Sequence, residues 1–198
     1  MHLKARVGDP RHTQADTTLA QNLLLWRPKV DFKDGVDLTK KWFEKNLSLR
    51  YKIMANKKIG VMGYGEVGRA IAKFYKNPKI KDLSRDDGLS GVEILNICIP
   101  WSDNFLSIAK TEIKKINPKL TIIHSTVALN TTKILSREFS GFVVHSPIRG
   151  VHPNLFKGVK TFVKYIGSDN KQAGKMAERH LKSLGMKTKL FFPSNTTE

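Results

Sequence analysis

The chain has a single cysteine and only 17 acidic residues, against 35 lysines and arginines. Cys98 has no second cysteine to pair with, so no internal disulfide can hold the fold. It sits in the apolar run VEILNICIP and is read as a small buried hydrophobe rather than as a nucleophile. No apolar run approaches the roughly 18 residues of a membrane span, and the opening MHLKARVGDP lacks the apolar centre of a signal peptide. The expectation is a soluble, cytoplasmic protein with no membrane partner. The histidines show no metal-ligand spacing, so no metal site is expected.

What the chain does have is 198 residues with 40% apolar content, enough for one large domain or for a domain with an appendage. Its net charge of +18 favours anionic partners through long-range attraction. Nucleotides, nucleotide sugars and nucleic acid all fit that description. The lysines, among them Lys40, Lys41, Lys114, Lys115, Lys157 and Lys160, are scattered and not interleaved with aromatics. Most are therefore read as solvated surface, and nucleic acid is not the expected partner.

Residues 57–68, KKIGVMGYGEVG, place Gly63, Gly65 and Gly68 in the G-x-G-x-x-G spacing between a short apolar run and the helix-forming RAIAKFY. Strand, turn and helix follow in the order a dinucleotide-binding unit requires. Gly63 allows the tight turn out of the strand, Gly65 lets backbone approach a pyrophosphate, and Gly68 lets helix pack close to strand. The N–H groups around Tyr64, Gly65, Glu66 and Val67 then face the phosphates at the helix start. The helix is expected over 66–75, ending at Asn77-Pro78. A weak strand, KIKD, brings Asp82 to a position 19 residues after Gly63, near the spacing expected of an acid that binds the adenosine ribose. Asp82 favours NAD, the neighbouring Arg85 keeps NADP open, and Asp86 and Asp87 can equally be turn residues.

Strands and helices then alternate. Strands are expected at 92–100, 120–127, 142–148, 161–167 and 187–192, with helices at 104–116, 131–139 and 171–184. This pattern predicts an α/β fold, a Rossmann-like open and mostly parallel sheet with helices on both faces, binding ligands at the carboxyl ends of its strands. Pro100, Trp101, Ser125, Thr126, Ser146 and Pro147 fall at those ends. His145 and His152 are candidate general bases, though loop histidines bonded to backbone or to surface carboxylates are the favoured reading. His124 is expected in the core. Arg149 is a candidate anchor for a substrate phosphate or carboxylate, with a surface turn as the alternative.

The N-terminal stretch has a different character. Leu19, Ala20, Leu23 and Leu24 share a helical face that ends at Trp26-Arg27-Pro28. Asp31 then precedes a second amphipathic helix carrying Phe32, Val36, Leu38, Trp42, Phe43 and Leu47. The expected organisation is a two-helix segment over 1–50, a linker at 51–56 and an NAD(P)-binding domain over 57–198. Two short helices with large apolar residues are expected to dock on another surface, which leaves room for a homo-oligomer.

Residues 6–47, with Gly8-Asp9, Ala15-Asp16, Trp26, Pro28, Gly35 and Trp42, resemble the C-terminal end of the extended short-chain dehydrogenase/reductase family, in particular nucleotide-sugar epimerases and dehydratases such as UDP-glucose 4-epimerase. That resemblance implies that Arg6 clamps a diphosphate and that Asp9 accepts from a ribose hydroxyl. The order GYGEVG, NICIP, HSTV, HSPIRG and YIGSD over 57–198 resembles the N-terminal domain of the UDP-glucose/GDP-mannose dehydrogenases. More broadly, it is similar to the 6-phosphogluconate and prephenate dehydrogenase-like NAD(P)-binding domains. The resemblance implies that Ser125-Thr126-Val127 lies beside the nicotinamide and that Thr126 takes part in catalysis. Where that family has Ser-Pro-Glu, this chain has Ser146-Pro147-Ile148. In that family the catalytic lysine, asparagine and cysteine follow in a later helical domain, so the resemblance implies a chain lacking its catalytic C-terminal domain.

The leading expectation is an NAD(P)-binding oxidoreductase domain of nucleotide-sugar metabolism. The alternatives are a non-catalytic basic module for nucleic acid or a protein partner, a complete small NAD(P)H-dependent reductase, or an epimerase remnant.

Overall fold

The computed structural model describes residues 15–55, 58–151 and 154–198, with side-chain surroundings for these outside 45–55. Its contacts divide the chain into two units, Met1–Lys52 and Ile53–Glu198.

The first unit contains α1 (Thr18–Leu24) and α2 (Phe32–Ala55) up to Lys52. No residue of α1 is buried. Leu23 and Phe43 are exposed, and Phe32 is 85% exposed. The helix α2 continues through 51–55, where a linker is expected from the sequence. The physical reason is that SLRYKIMA carries neither proline nor glycine, so nothing in it stops a helix already under way.

The second unit is built on β1 (Ile59–Met62), α3 (Glu66–Ala72), β2 (Lys79–Asp82), β3 (Arg85–Asp86), β4 (Ile94–Ile97), α4 (Phe105–Ile116), β5 (Leu120–Ile123) and α5 (Thr131–Glu138). It continues with β6 (Phe142–His145), α6 (Leu155–Thr161), β7 (Lys164–Gly167), α7 (Lys171–Ser183), β8 (Thr188–Phe191) and a 3-10 turn at Ser194–Thr196. The strands form one eight-stranded sheet in the order β3-β2-β1-β4-β5-β6-β7-β8. Pairing is parallel from β2 through β6 and between β7 and β8. It is antiparallel for the short β3 and where β6 meets β7.

Strands β1, β4 and β5 are buried along their whole length, which is why they read as largely apolar runs, with Asn96 and Thr121 the polar exceptions. Successive residues alternate between two cores. Val61, Ile94, Ile122 and Val144 pack with Ile71, Ala177 and Leu181 on one face. Met62, Leu95, Ile97, Ile123 and Val143 pack with Phe105, Ile113 and Leu135 on the other. Each fully buried aliphatic side chain contributes roughly 1.5–3 kcal/mol, so the two layers fix the strand register and hence the loops at the strand ends.

Strand β3 falls where turn residues are expected, and two later elements also differ from expectation. Helix α6 is not anticipated, because Gly150, Pro153 and Gly158 around it read as loop. Gly158 is tolerated because the helix presses on the 149–150 turn: a Cβ there would lie 2.5 Å from Gly150 Cα. The strand expected over 161–167 accordingly begins only at Lys164.

Candidate functional site

Chain order reverses at β1, since β2 pairs on one side of it and β4 on the other. This is the switch point at which an open α/β sheet leaves a crevice beyond its carboxyl edge. The glycine turn occupies that place. Gly63 leaves β1 with φ +88°, and a Cβ on it would lie 2.7 Å from Cys98 C and Ile99 N, so only glycine passes between the strand ends. A Cβ on Gly68 would lie 1.8 Å from Gly63 O, so α3 packs directly on the turn. Gly65 behaves oppositely. It is exposed and a Cβ there would meet nothing within 4 Å, which leaves open backbone facing outward at the start of α3. That contrast fits a pyrophosphate laid against Gly65.

The turn is held from two sides. The Tyr64 N–H donates to Asp82 Oδ2, and Arg69 Nη1 donates to Tyr64 O at 3.0 Å. Asp82 Oδ1 also accepts from the Leu83 N–H at 2.7 Å. The structure thus brings Asp82 from the end of β2 to the glycine turn, where the sequence spacing places it. Glu66 and Val67 are half-buried at the first turn of α3.

The remaining rim comes from the ends of β4, β5 and β6. Pro100 and Thr126 are exposed and Ser125 is half-buried. The Ser125 hydroxyl donates to Ile99 O, which ties the β5 loop to the β4 loop. Arg149 is exposed, with its guanidinium 4.9 Å from the Tyr165 ring centroid and 5.9 Å from that of Phe162. Arg6, Asp9 and His152 lie outside the described residues.

His145 does not stand where a general base needs to stand. It is fully buried at the end of β6. Its Nε2 lies 2.9 Å from Ser125 O and its Nδ1 2.9 Å from Thr197 Oγ1. Burial holds its pKa below the ordinary histidine value, and Ser125 O can only accept from the ring, while the Thr197 hydroxyl donates to Ser194 O at 3.0 Å. Both nitrogens are used internally, the backbone-bonded arrangement of the sequence reading, and they fasten the loop after β5, β6 and the C-terminal turn together. His124 is a core residue, as the sequence suggests. Burial pushes the Cys98 thiol up to about 12, which suits a packed hydrophobe and not a nucleophile.

Sequence reading misses a buried polar chain behind the rim. Asn96 donates to Gly60 O at 3.2 Å, and its Oδ1 lies 2.9 Å from His124 Nε2. His124 Nδ1 lies 3.0 Å from Ser146 O and 3.2 Å from Lys164 Nζ. Lys164, only 3% exposed, donates to Ser146 O and to Pro147 O, the latter at 2.8 Å. Residues of β1, β4 and β7, His124 directly after β5 and the turn after β6 are thereby linked next to the loops that carry Pro100, Ser125, Thr126 and Arg149. The signal for it is the polar residue inside each of two apolar strand runs, Asn96 in NICIP and Lys164 in VKYIG. Among the described residues no acidic and histidine cluster has the arrangement of a metal site, and no helix is long and apolar enough to cross a membrane.

No protein-family model matches the chain, and no curated protein matches it. Among solved structures the fold is similar to that of UDP-D-ManNAc dehydrogenase from Pyrococcus horikoshii, at a TM-score of 0.59 and 19% identity over 71% of this chain and 48% of that one. It is similar to UDP-N-acetyl-mannosamine dehydrogenase from Staphylococcus aureus, at 0.57 and 14% over 72% and 49%. It is also similar to an imine reductase from Aspergillus terreus solved with NADPH4, at 0.52 and 11% over 71% and 57%. The chain spans about half the length of the two sugar-nucleotide dehydrogenases, and the architecture it shares with all three is the Rossmann-like α/β fold anticipated from its sequence.

Proposed function

We propose that residues 57–198 bind NAD or NADP as the cofactor domain of an oxidoreductase acting on nucleotide sugars. The observation that carries this is the contrast among the three glycines. Two are packed so tightly that no side chain fits, while Gly65 leaves bare backbone open at the switch point of the sheet. The similar solved folds, which include dehydrogenases of nucleotide sugars, support the same reading.

In this reading Gly63 to Gly68 face the pyrophosphate, Asp82 faces the adenosine ribose, and Pro100, Ser125 and Thr126 line the nicotinamide side. When bound, NAD(P) supplies the hydride acceptor or donor. Arg149, held between Tyr165 and Phe162, offers a guanidinium for a substrate phosphate or carboxylate, and Arg6 and Asp9 are the corresponding anchors in the N-terminal segment. Thr126, exposed on the rim, is the candidate for contact with the reacting part of the substrate. The division into 1–50 and 57–198, and self-association through exposed residues such as Leu23, Phe32 and Phe43, belong to the same proposal.

The test is a calorimetric titration with NAD and NADP, repeated on Gly65→Asp. That substitution fits the open space sterically but sets a carboxylate where the pyrophosphate would lie. Saturable binding to the wild type, lost in a variant that unfolds at the same temperature, supports the site. No heat from either nucleotide, or undiminished heat in the variant, refutes it.

A further inference from the structure

The end of β2 carries more charge than a ribose site needs. Asp82 stands beside the glycine turn, and three residues later Arg85, on β3, places its guanidinium 5.8 Å from the Tyr64 ring centroid. Arg85 is therefore a cation beside the turn on the β2–β3 side, while Arg69 of α3 is held on the Tyr64 carbonyl. Arg85 is also engaged: its Nε and Nη2 donate to the two carboxylate oxygens of Asp87 at 2.9 and 2.7 Å. Asp87 is fixed in turn, because its Oδ2 accepts from the Ile80 N–H at 2.9 Å. The two neighbouring lysines are turned to other partners. Lys79 donates to Gly88 O at 2.7 Å, and Lys81 pairs with Glu112 at 2.6 Å. Asp86 accepts from the Gly88 N–H at 2.9 Å.

A ribose 2′-hydroxyl arriving at Asp82 is a donor meeting an acceptor. A 2′-phosphate in the same place is a dianion meeting a carboxylate, and the nearby guanidinium has its charge offset by the Asp87 carboxylate that it holds through Nε and Nη2. Resting on the dinucleotide reading above, we propose that the Arg85–Asp87 pair is a selectivity latch: while it is closed the chain takes NAD over NADP, and releasing Arg85 from Asp87 admits the 2′-phosphate. Asp87 then sets cofactor choice through Arg85 and not by touching the cofactor.

The experiment measures dissociation constants for NAD and NADP by calorimetry on the full chain, for the wild type, Asp87→Asn, Arg85→Gln and the double variant. The Asp87→Asn side chain keeps an oxygen for the Ile80 N–H, and both positions are exposed, so the fold is preserved. The expected pattern is a wild type that prefers NAD and an Asp87→Asn variant whose NADP affinity rises about fivefold, the scale of one exposed ion pair. Its NAD affinity stays within about twofold. Arg85→Gln alone leaves both affinities near the wild-type values, and the double variant loses the gain. An unchanged NADP/NAD ratio in Asp87→Asn, or a gain that survives removal of Arg85, overturns the latch while the cofactor site stands. Failure of every variant and the wild type to bind either nucleotide overturns the cofactor reading, and the latch with it.

Discussion

Among the described residues, Lys164 is a cation buried without a carboxylate, and its removal has a calculable consequence. Its Nζ is satisfied by the carbonyls of Ser146 and Pro147 and lies against His124 Nδ1, all neutral groups. Burial therefore lowers its pKa from 10.5 to about 7. At about 1.4 kcal/mol per pH unit, the charged form is disfavoured in the folded chain by roughly 5 kcal/mol. The sign follows from proton counting. Between pH 7 and 10.5 the unfolded lysine holds a proton that the folded one lacks, so stability rises with pH across that window. Below pH 7 both states are charged and the penalty is fully present. Cys98 opposes this effect in part: its thiol is pushed up to about 12, so above its ordinary value the folded chain keeps a proton that the unfolded one loses, and the raised Tyr75 phenol acts the same way; both effects are shared by wild type and variant, so the difference between the two isolates Lys164. From pH 7 to 9.5 the wild type should gain about 3 kcal/mol from this group. Lys164→Met keeps the length and the apolar stem and should remove that gain. Urea unfolding at pH 7, 8 and 9.5 checks it. Parallel stability curves for wild type and variant would refute the burial argument and mean that water or an unrecognised counter-charge reaches Lys164.

Two further substitutions test the geometry around the crevice. Gly68→Ala places a Cβ 1.8 Å from Gly63 O, so α3 must move off the turn; we expect a loss of several kcal/mol, the scale of overpacking and strain at a rigid backbone contact, read as a lower unfolding midpoint together with lost nucleotide binding. His145→Ala leaves Ser125 O and Thr197 Oγ1 without their buried partner and should cost about 2–4 kcal/mol in chemical unfolding, whereas a histidine that served only as an exposed base would cost almost nothing.

The glycine turn and its strand are legible because their causes are local. Gly63, Gly65 and Gly68 are spaced by the turn and helix geometry itself, and Ile59 to Met62 are apolar because both faces of β1 are covered. Asp82 is legible for the same reason, since one helix and one short strand fix its distance along the chain. For His145 the bond to backbone is legible but its partners are not. Its partners, Ser125 and Thr197, are 20 and 52 residues away, and only the folded sheet shows that both ring nitrogens are already taken. Lys164 is hidden similarly: a lysine in a strand looks solvated until the reversed direction of β7 lays it beside the 146–147 carbonyls. Helix α6 is lost to Gly150, Pro153 and Gly158, residues that punctuate loops except where, as at Gly158, close packing requires the missing side chain.

The most direct test of the dinucleotide site is where binding is felt, read by hydrogen exchange of the backbone amides with and without saturating NAD. A cofactor seated on the glycine turn slows exchange at 64–68 and in the loops around Pro100 and Ser125–Thr126, leaving α1 and α2 unchanged. Protection confined to α1 and α2, or to none of these segments, would contradict it.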